Sequence, residues 1–200
     1  MNKKKILDYW NLRAEKKILK CTNDINLENN EISIFLSIIK NRKKVLDIGC
    51  GDGELLRNLK KKNKCNCHGI DFSQNLIRIA KKRSKNINYY CIDMNRIKEE
   101  FKVKTKFDYI ITKRSIQNLT SWNDQKKFIN QLKFFSSPKT KILLMESSND
   151  GLKKINAMRS KLKLKKIIKP WHNLYLEDSK LKKTNFSGVK LINIKELFST

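Results

Sequence analysis

The sequence predicts an α/β fold: a doubly wound, Rossmann-like, mostly parallel sheet with helices on both faces. Three observations carry that expectation. The stretch KVLDIGCGDGELLRNL, Lys44 to Leu59, reads as a buried strand, a glycine-rich turn and the first turns of a helix. Short apolar runs then alternate with helical periodicity as far as Glu146. The 200 residues suit one domain with a full core.

Composition narrows the class. Lys and Arg number 46 against 19 Asp and Glu, a net charge of +27. Such a surplus points either to nucleic acid or to compositional drift. Drift is the preferred reading. The bases are mostly Lys, spread along the whole chain beside abundant Asn and Ile, whereas a dedicated binder adds Arg clusters and stacking aromatics. Five cysteines, mostly in apolar segments, suggest free thiols in a reducing cytoplasm. No apolar run approaches about 18 residues, so neither a transmembrane helix nor a membrane partner is expected. Met1 to Lys5 is basic, but no apolar stretch follows, so a signal peptide is not expected.

In chain order, residues 1–20 read as helical, with Ile6, Tyr9, Trp10 and Leu12 near helical spacing. Thr22–Asn26 reads as a polar loop, and Glu31 to Ile39 as a helix with Ile32, Phe35, Leu36 and Ile39 on one face. Val45, Leu46 and Ile48 form the apolar run of a strand covered on both faces. Gly49, Gly51 and Gly53 allow a tight turn and close approach to a ligand, and Leu55, Leu56 and Leu59 restart a helical stripe. The dinucleotide fingerprint is G-x-G-x-x-G, but its third position here holds Glu54, and Asp47 precedes the run. A carboxylate there suits a cationic amino-acid group better than a pyrophosphate.

Asp47-x-Gly49-x-Gly51-x-Gly53 resembles motif I of the class I S-adenosylmethionine (SAM) methyltransferases. The resemblance covers almost the whole chain. It implies N-terminal lid helices over residues 1–40, including the Tyr9–Ala14 stretch. It implies a cofactor-binding core over 41–146 and a substrate-side part over 147–200, all in one domain. Thr22 and Asn23 would then lie beside the cofactor's methionine end.

Asn66–Asp71 reads as the second strand, ending in an acid about 20 residues past the glycine turn, where a ribose-binding carboxylate is expected. Asp71 is also a reasonable strand-end turn residue. Ser73 caps a helix over Gln74–Arg83. Cys65-x-Cys67-His68 has the wrong spacing for zinc, so no metal is expected. Ile87–Ile92 is the third strand. The resemblance then puts Asp93 on the adenine amino group and Met94 against the ring; the alternative for Asp93 is a cap of the helix Asn95–Phe101. Cys50, Phe72 and Lys113 complete the cofactor candidates.

Phe107–Thr112 reads as the fourth strand, and Lys113–Leu119 follows at the centre of the sheet, where ligands bind. Thr120–Trp122 opens a helix through Leu132. A turn at Pro138–Thr140 leads to the fifth strand, Ile142–Glu146, and Gly151–Leu162 reads as a helix. Arg114, Asn118, Trp171, His172, Asn173 and Tyr175 are the substrate-side candidates. Gln117–Trp122 with Trp171–Tyr175 is similar to a bacterial subgroup associated with surface-polysaccharide and small-metabolite genes. His172 is either a base or a structural histidine, and Glu146 is the second candidate base. Val189–Phe198 reads as a sixth strand. The final antiparallel strand usual in this family finds no residues, so the chain is expected to be cut short, with an exposed sheet edge.

The expected chemistry is methyl transfer from SAM to an oxygen or nitrogen of a small molecule. The alternatives are an RNA methyltransferase and a SAM-binding protein without catalysis. Against RNA, no Asn-Pro-Pro-Tyr-like tetrapeptide follows strand four; Lys113-Arg114-Ser115-Ile116 stands there. The acceptor and the oligomeric state stay open.

Overall fold

The computed structural model describes residues 2–195. Helices α1 (Lys3–Glu15) and α2 (Ile25–Ile38) precede β1 (Lys44–Ile48). Then come α3 (Glu54–Asn63), β2 (Asn66–Asp71), α4 (Gln74–Arg83), β3 (Asn88–Cys91), α5 (Ile97–Glu100) and β4 (Phe107–Lys113). The chain continues through α6 (Trp122–Gln131), β5 (Ser136–Met145), α7 (Asn149–Lys161) and α8 (Asp178–Lys183). The five strands pair in parallel in the order β3-β2-β1-β4-β5.

Strand periodicity builds two cores from one sheet. Val45, Tyr109 and Ile111 face one side, packed with Ile32 and Phe35 of α2, Leu55, Leu56 and Leu59 of α3, and Ile77 of α4. Leu46, Ile48, Ile70 and Ile110 face the other, with Ile97 of α5 and Phe128 and Ile129 of α6. Each such fully buried side chain contributes about 1.5–3 kcal/mol, which is why both faces must be covered. A smaller cluster joins Ile6, Trp10 and Ala14 of α1 to Leu76 of α4.

Ser73 caps α4 by accepting the Leu76 N–H, and Ser121 caps α6 through the Asp124 N–H, both as the sequence suggests. β2 and α4 have the expected limits. Elsewhere the limits move for local reasons. Asp24 accepts the Leu27 N–H, so α2 starts at Ile25 and takes the end of the expected loop. Pro138–Thr140 is not a free turn. It lies within β5, where the register slips between the Phe107–Ser136 and Tyr109–Lys141 pairs, and Thr140 Oγ1 donates to the Phe107 carbonyl at 2.6 Å. A bulge on an edge strand accommodates proline, which has no N–H to give.

The sixth strand is a correction. Residues 189–195 form no strand; Val189 makes a single bridge to Phe186 and packs against the second core. The remainder of that expected strand lies outside the described residues. Among those described, the sheet ends at β5, with no antiparallel strand beside it.

Candidate functional site

The strand order reverses between β1 and β4, because the chain first builds outward through β2 and β3 and then returns. Open α/β sheets bind ligands at the carboxyl ends of the strands at this point. A cleft of about 800 Å³, its open mouth included, lies there.

The glycine turn forms its floor. Gly49 has φ +82°, and a Cβ on it would sit 2.1 Å from the Ser115 Cβ. Ser115 in turn donates its hydroxyl to the Ile48 carbonyl at 2.7 Å, locking the loop after β4 onto the turn. The N–H groups of Gly49 and Cys50 both donate to the Ile70 carbonyl. Gly51 differs: φ is +56°, yet nothing lies within 4 Å of where its Cβ would be. Gly53 begins α3 with φ +77° against the Tyr89 hydroxyl.

Asp71 sits on the opposite wall. It accepts the Gly51 N–H and the Ser73 N–H, each at 2.9 Å, so the carboxylate and the glycine turn hold each other. Burial raises it to about 6 despite those bonds. Phe72, Ile92, Met94 and Leu119 give the cleft an apolar lining. Asp93 lines it too, but its carboxylate accepts the Asn95 N–H at 2.9 Å and pairs with Lys3. Asp93 therefore caps the single 3-10 turn Met94–Arg96, not the expected helix Asn95–Phe101, since α5 begins after Arg96.

Lys113 and Arg114 line the cleft at the end of β4. Both are tied to buried carboxylates of α2. Arg114 donates through Nε and a terminal nitrogen to Glu31 Oε1, at 2.9 and 2.7 Å. Lys113 lies 3.7 Å from Glu28 and 3.9 Å from Glu31. Asp47 is buried beneath the turn and does not line the cleft. Its Oδ1 has no hydrogen-bond partner, and burial raises it to about 7 against the pull of Lys113.

Glu146 also stands away from the cleft lining. Its two oxygens accept the N–H groups of Ser115 at 3.1 Å and Gln117 at 3.3 Å. Burial raises it to about 7, with those N–H groups pulling the other way. The arrangement makes it a brace for the 115–117 loop.

Helix α1 roofs the cleft. Trp10 lines it and donates Nε1–H to Asn118 Oδ1 at 3.1 Å. His172 packs outside that roof, its ring 4.3 Å from Tyr9 and 5.8 Å from Trp10. It is buried, and desolvation lowers its pKa, with Arg13 adding to the effect. Trp171 is exposed beside Tyr9, Asn173 is buried, and the Tyr175 ring faces Lys169. None of these four lines the cleft. The structure thus gathers Gly49, Gly51, Asp71, Phe72, Asp93, Met94, Lys113, Arg114 and Asn118 around one space, and leaves Cys50, Gly53, Asp47 and Glu146 behind it.

Lys3, Trp10, Cys21, Ser115 and Thr120 also line the cleft but were not among the sequence candidates. Trp10 was visible as part of a roof helix. Lys3 carried no signal in a chain so rich in lysine.

A family model described as a methyltransferase domain matches residues 39–192. The ubiquinone biosynthesis O-methyltransferase of Coxiella burnetii is 35% identical over 107 residues, 52% of this chain and 42% of that protein. The matched segment therefore spans less than half of that relative's length. Among solved structures, a DhpI complex with S-adenosylhomocysteine (SAH) superposes with a TM-score of 0.61 at 14% identity, over 75% of this chain and 71% of that one. The N-methyltransferase NodS from Bradyrhizobium japonicum WM9, also with SAH, gives 0.55 at 18% identity, over 68% and 71%. At such identities these two likenesses speak for the fold.

Proposed function

We propose, from the premise that the chain belongs to the class I SAM-dependent methyltransferases, that it moves a methyl group from SAM to an oxygen or nitrogen of a small molecule. One observation carries the reading: Asp71, anchored to the Gly51 N–H, shares a single cleft with Gly49, Asp93 and Met94.

The residues present fit the cofactor. Open space beside Gly51, at a left-handed backbone angle, leaves room for a ligand against the turn. Asp71 would accept the ribose hydroxyls, since a carboxylate has more acceptor sites than two N–H groups fill. Asp93 and Met94 would hold the adenine, and Ile92 and Leu119 would pack on it. Gly49 and Lys113 would take the amino-acid end. SAM supplies a methyl group on a sulfonium that is already a good leaving group. The chain's task is to position the acceptor in line and exclude water, which provides about 7–11 kcal/mol. Trp10, tied to Asn118, closes the roof.

Among the described residues the cleft lining contains no imidazole, and Glu146 is occupied by backbone N–H groups. That favours an acceptor needing no strong protein base, such as a neutral amine or an acidic hydroxyl. Lys113 and Arg114 are neutralised by α2, which speaks against a phosphate-tracking groove for RNA.

Calorimetry with SAH tests the binding half. Heat is expected with SAH and none with NAD, and Asp71→Ala should weaken SAH binding at least about tenfold, since it removes acceptors for charge-assisted bonds. Heat with NAD alone would end the reading. Release of SAH on incubating SAM with panels of amines and phenols would then identify the acceptor class.

A further inference from the structure

The segment from Gly151 to Leu176 carries eight Lys or Arg and no Asp or Glu. It also shows an unusual share of the molecule's exposed apolar side chains. Ile168 is 86% exposed, Leu162 69%, Trp171 57% and Met158 54%. Helix α7 buries no residue fully, and residues 160–171 are exposed without interruption.

This is nonetheless built structure. Lys163 turns the chain with φ +55°, and the segment runs back along α7. The Asn156 side chain accepts the Ile167 N–H at 2.7 Å and donates to the Ile167 carbonyl at 2.9 Å. Arg159 Nε donates to the Lys165 carbonyl at 2.7 Å. Past Pro170, Leu174 N–H donates to the Gln117 carbonyl at 2.6 Å. A side-chain clasp therefore holds apolar and cationic groups in a fixed surface. Leaving Ile168 and Leu162 in water gains nothing for the fold, and exposed apolar groups collected in one place mark an interaction face.

We propose that this face docks on an anionic lipid bilayer. Aliphatic side chains interleaved with lysines are the chemistry of interfacial binding: the apolar groups enter the headgroup region while the cations meet lipid phosphates. Lys stems reach past the apolar groups to do this. Two other occupants fit less well. A second copy would bring like charge onto like charge across an isologous contact. Single-stranded nucleic acid calls for stacking aromatics, and Trp171 is the only aromatic among the exposed large side chains of the face. The face borders the cleft's roof, since Trp171 lies 5.7 Å from Tyr9, the neighbour of Trp10. Docking would place α1 at the bilayer. The expectation of no membrane partner rested on the lack of a spanning segment, which does not bear on a peripheral surface.

The test is sedimentation of the full chain with vesicles at about 100 mM salt. Vesicles of phosphatidylcholine with phosphatidylglycerol should bind at least about tenfold more protein than pure phosphatidylcholine, with the gap shrinking as salt rises. The double variant Leu162→Asp, Ile168→Asp should lose at least about tenfold of that binding while melting at the wild-type temperature, since both side chains are exposed. Brominated lipid should quench tryptophan emission, and Trp171→Phe should remove most of the quenching. Equal partition into both vesicle types would overturn the proposal, as would undiminished binding by the double variant. So would homopolymeric RNA that displaces the protein from vesicles and is itself weakened by the double variant. SAH calorimetry in the absence of vesicles is independent of all these outcomes, so failure here leaves the methyl-transfer reading standing and the reverse also holds.

Discussion

Two glycines two residues apart show how residue geometry separates folding from binding. Gly49 and Gly51 both take left-handed backbone angles, but their surroundings differ. At Gly49 an alanine Cβ would strike Ser115, whose hydroxyl ties two loops together. Gly49→Ala should destabilise the fold by roughly 2–4 kcal/mol, the sum of backbone strain and overpacking. At Gly51 the methyl group meets open space, so Gly51→Ala should cost only about 1–2 kcal/mol of stability. It should, however, weaken SAH binding sharply, because that space is where the ligand would come against the turn. Thermal melting and calorimetry on the pair check this; equal loss of stability in both would show that Gly51 is structural alone. Asp47 makes a third residue-scale case. Its folded value is raised to about 7 from an ordinary 3.8, so its stabilising contribution is full below about 3.8 and is lost as pH rises through about 7. Between pH 5 and 7 that loss is on the order of 2 kcal/mol. Asp47→Asn, a neutral isostere, should melt higher than wild type at pH 8, by a margin that narrows toward pH 5 and closes only below about 3.8. A variant less stable at pH 8 would mean that attraction from Lys113 outweighs desolvation.

At the scale of elements, the loop after β4 depends on the end of β5. Ser115 and Gln117 donate backbone N–H groups to Glu146, and Leu174 reaches the same loop through the Gln117 carbonyl. Removing an acceptor from buried N–H groups costs about 1–3 kcal/mol for each group left unpaired. Glu146→Gln keeps one oxygen but turns an N–H donor toward another donor. It should lower the melting temperature by several degrees and weaken SAH binding through the displaced loop. A base would behave differently: turnover would vanish with melting unchanged. The sequence could suggest Glu146 as a base because a carboxylate at a strand tip in this fold faces a ligand site. It could not show that two N–H groups two positions apart, those of Ser115 and Gln117, had already claimed it. The same limit explains His172. Proximity to Trp171 and Asn173 was legible along the chain, but the packing of Tyr9 and Trp10 between that segment and the cleft was not. What local pattern did encode was β1, the glycine turn, β2, its terminal Asp71, and α4 with its Ser73 cap, because strand periodicity and caps are local. The strand expected over 189–198 fails over its described part, 189–195, for the opposite reason: apolar alternation needs a ladder partner, which no local pattern supplies.

Over the whole molecule, charge distribution sets the last expectation. Glu28, Glu31, Asp47, Asp52 and Asp71 are buried, while no Lys or Arg is among the described buried residues. Among the described residues these five carboxylates lie inside, but Glu28, Glu31 and Asp52 take Lys20, Lys113, Arg114, Arg57 and Arg83 as partners, so the surface imbalance stays near the formal +27. Exposed ion pairs such as Lys43 with Asp108, at 3.5 Å, offset little of it, since surface pairs contribute about 0–1 kcal/mol. The buried pairs between α2 and the end of β4 are shielded from salt and should hold at any ionic strength. Added salt therefore has one dominant effect on folding, which is to screen repulsion among surface lysines in the compact state. The melting temperature should rise by several degrees between about 20 mM and about 300 mM sodium chloride, over which the screening length falls from roughly 20 Å to below 10 Å. The rise should be equal for sodium and potassium chloride, because it depends on ionic strength and not on the ion. A melting temperature that falls with salt would mean that attractive surface pairs outweigh the surplus. The lysines would then have to be arranged around their few carboxylates far more selectively than their even spacing along the chain implies.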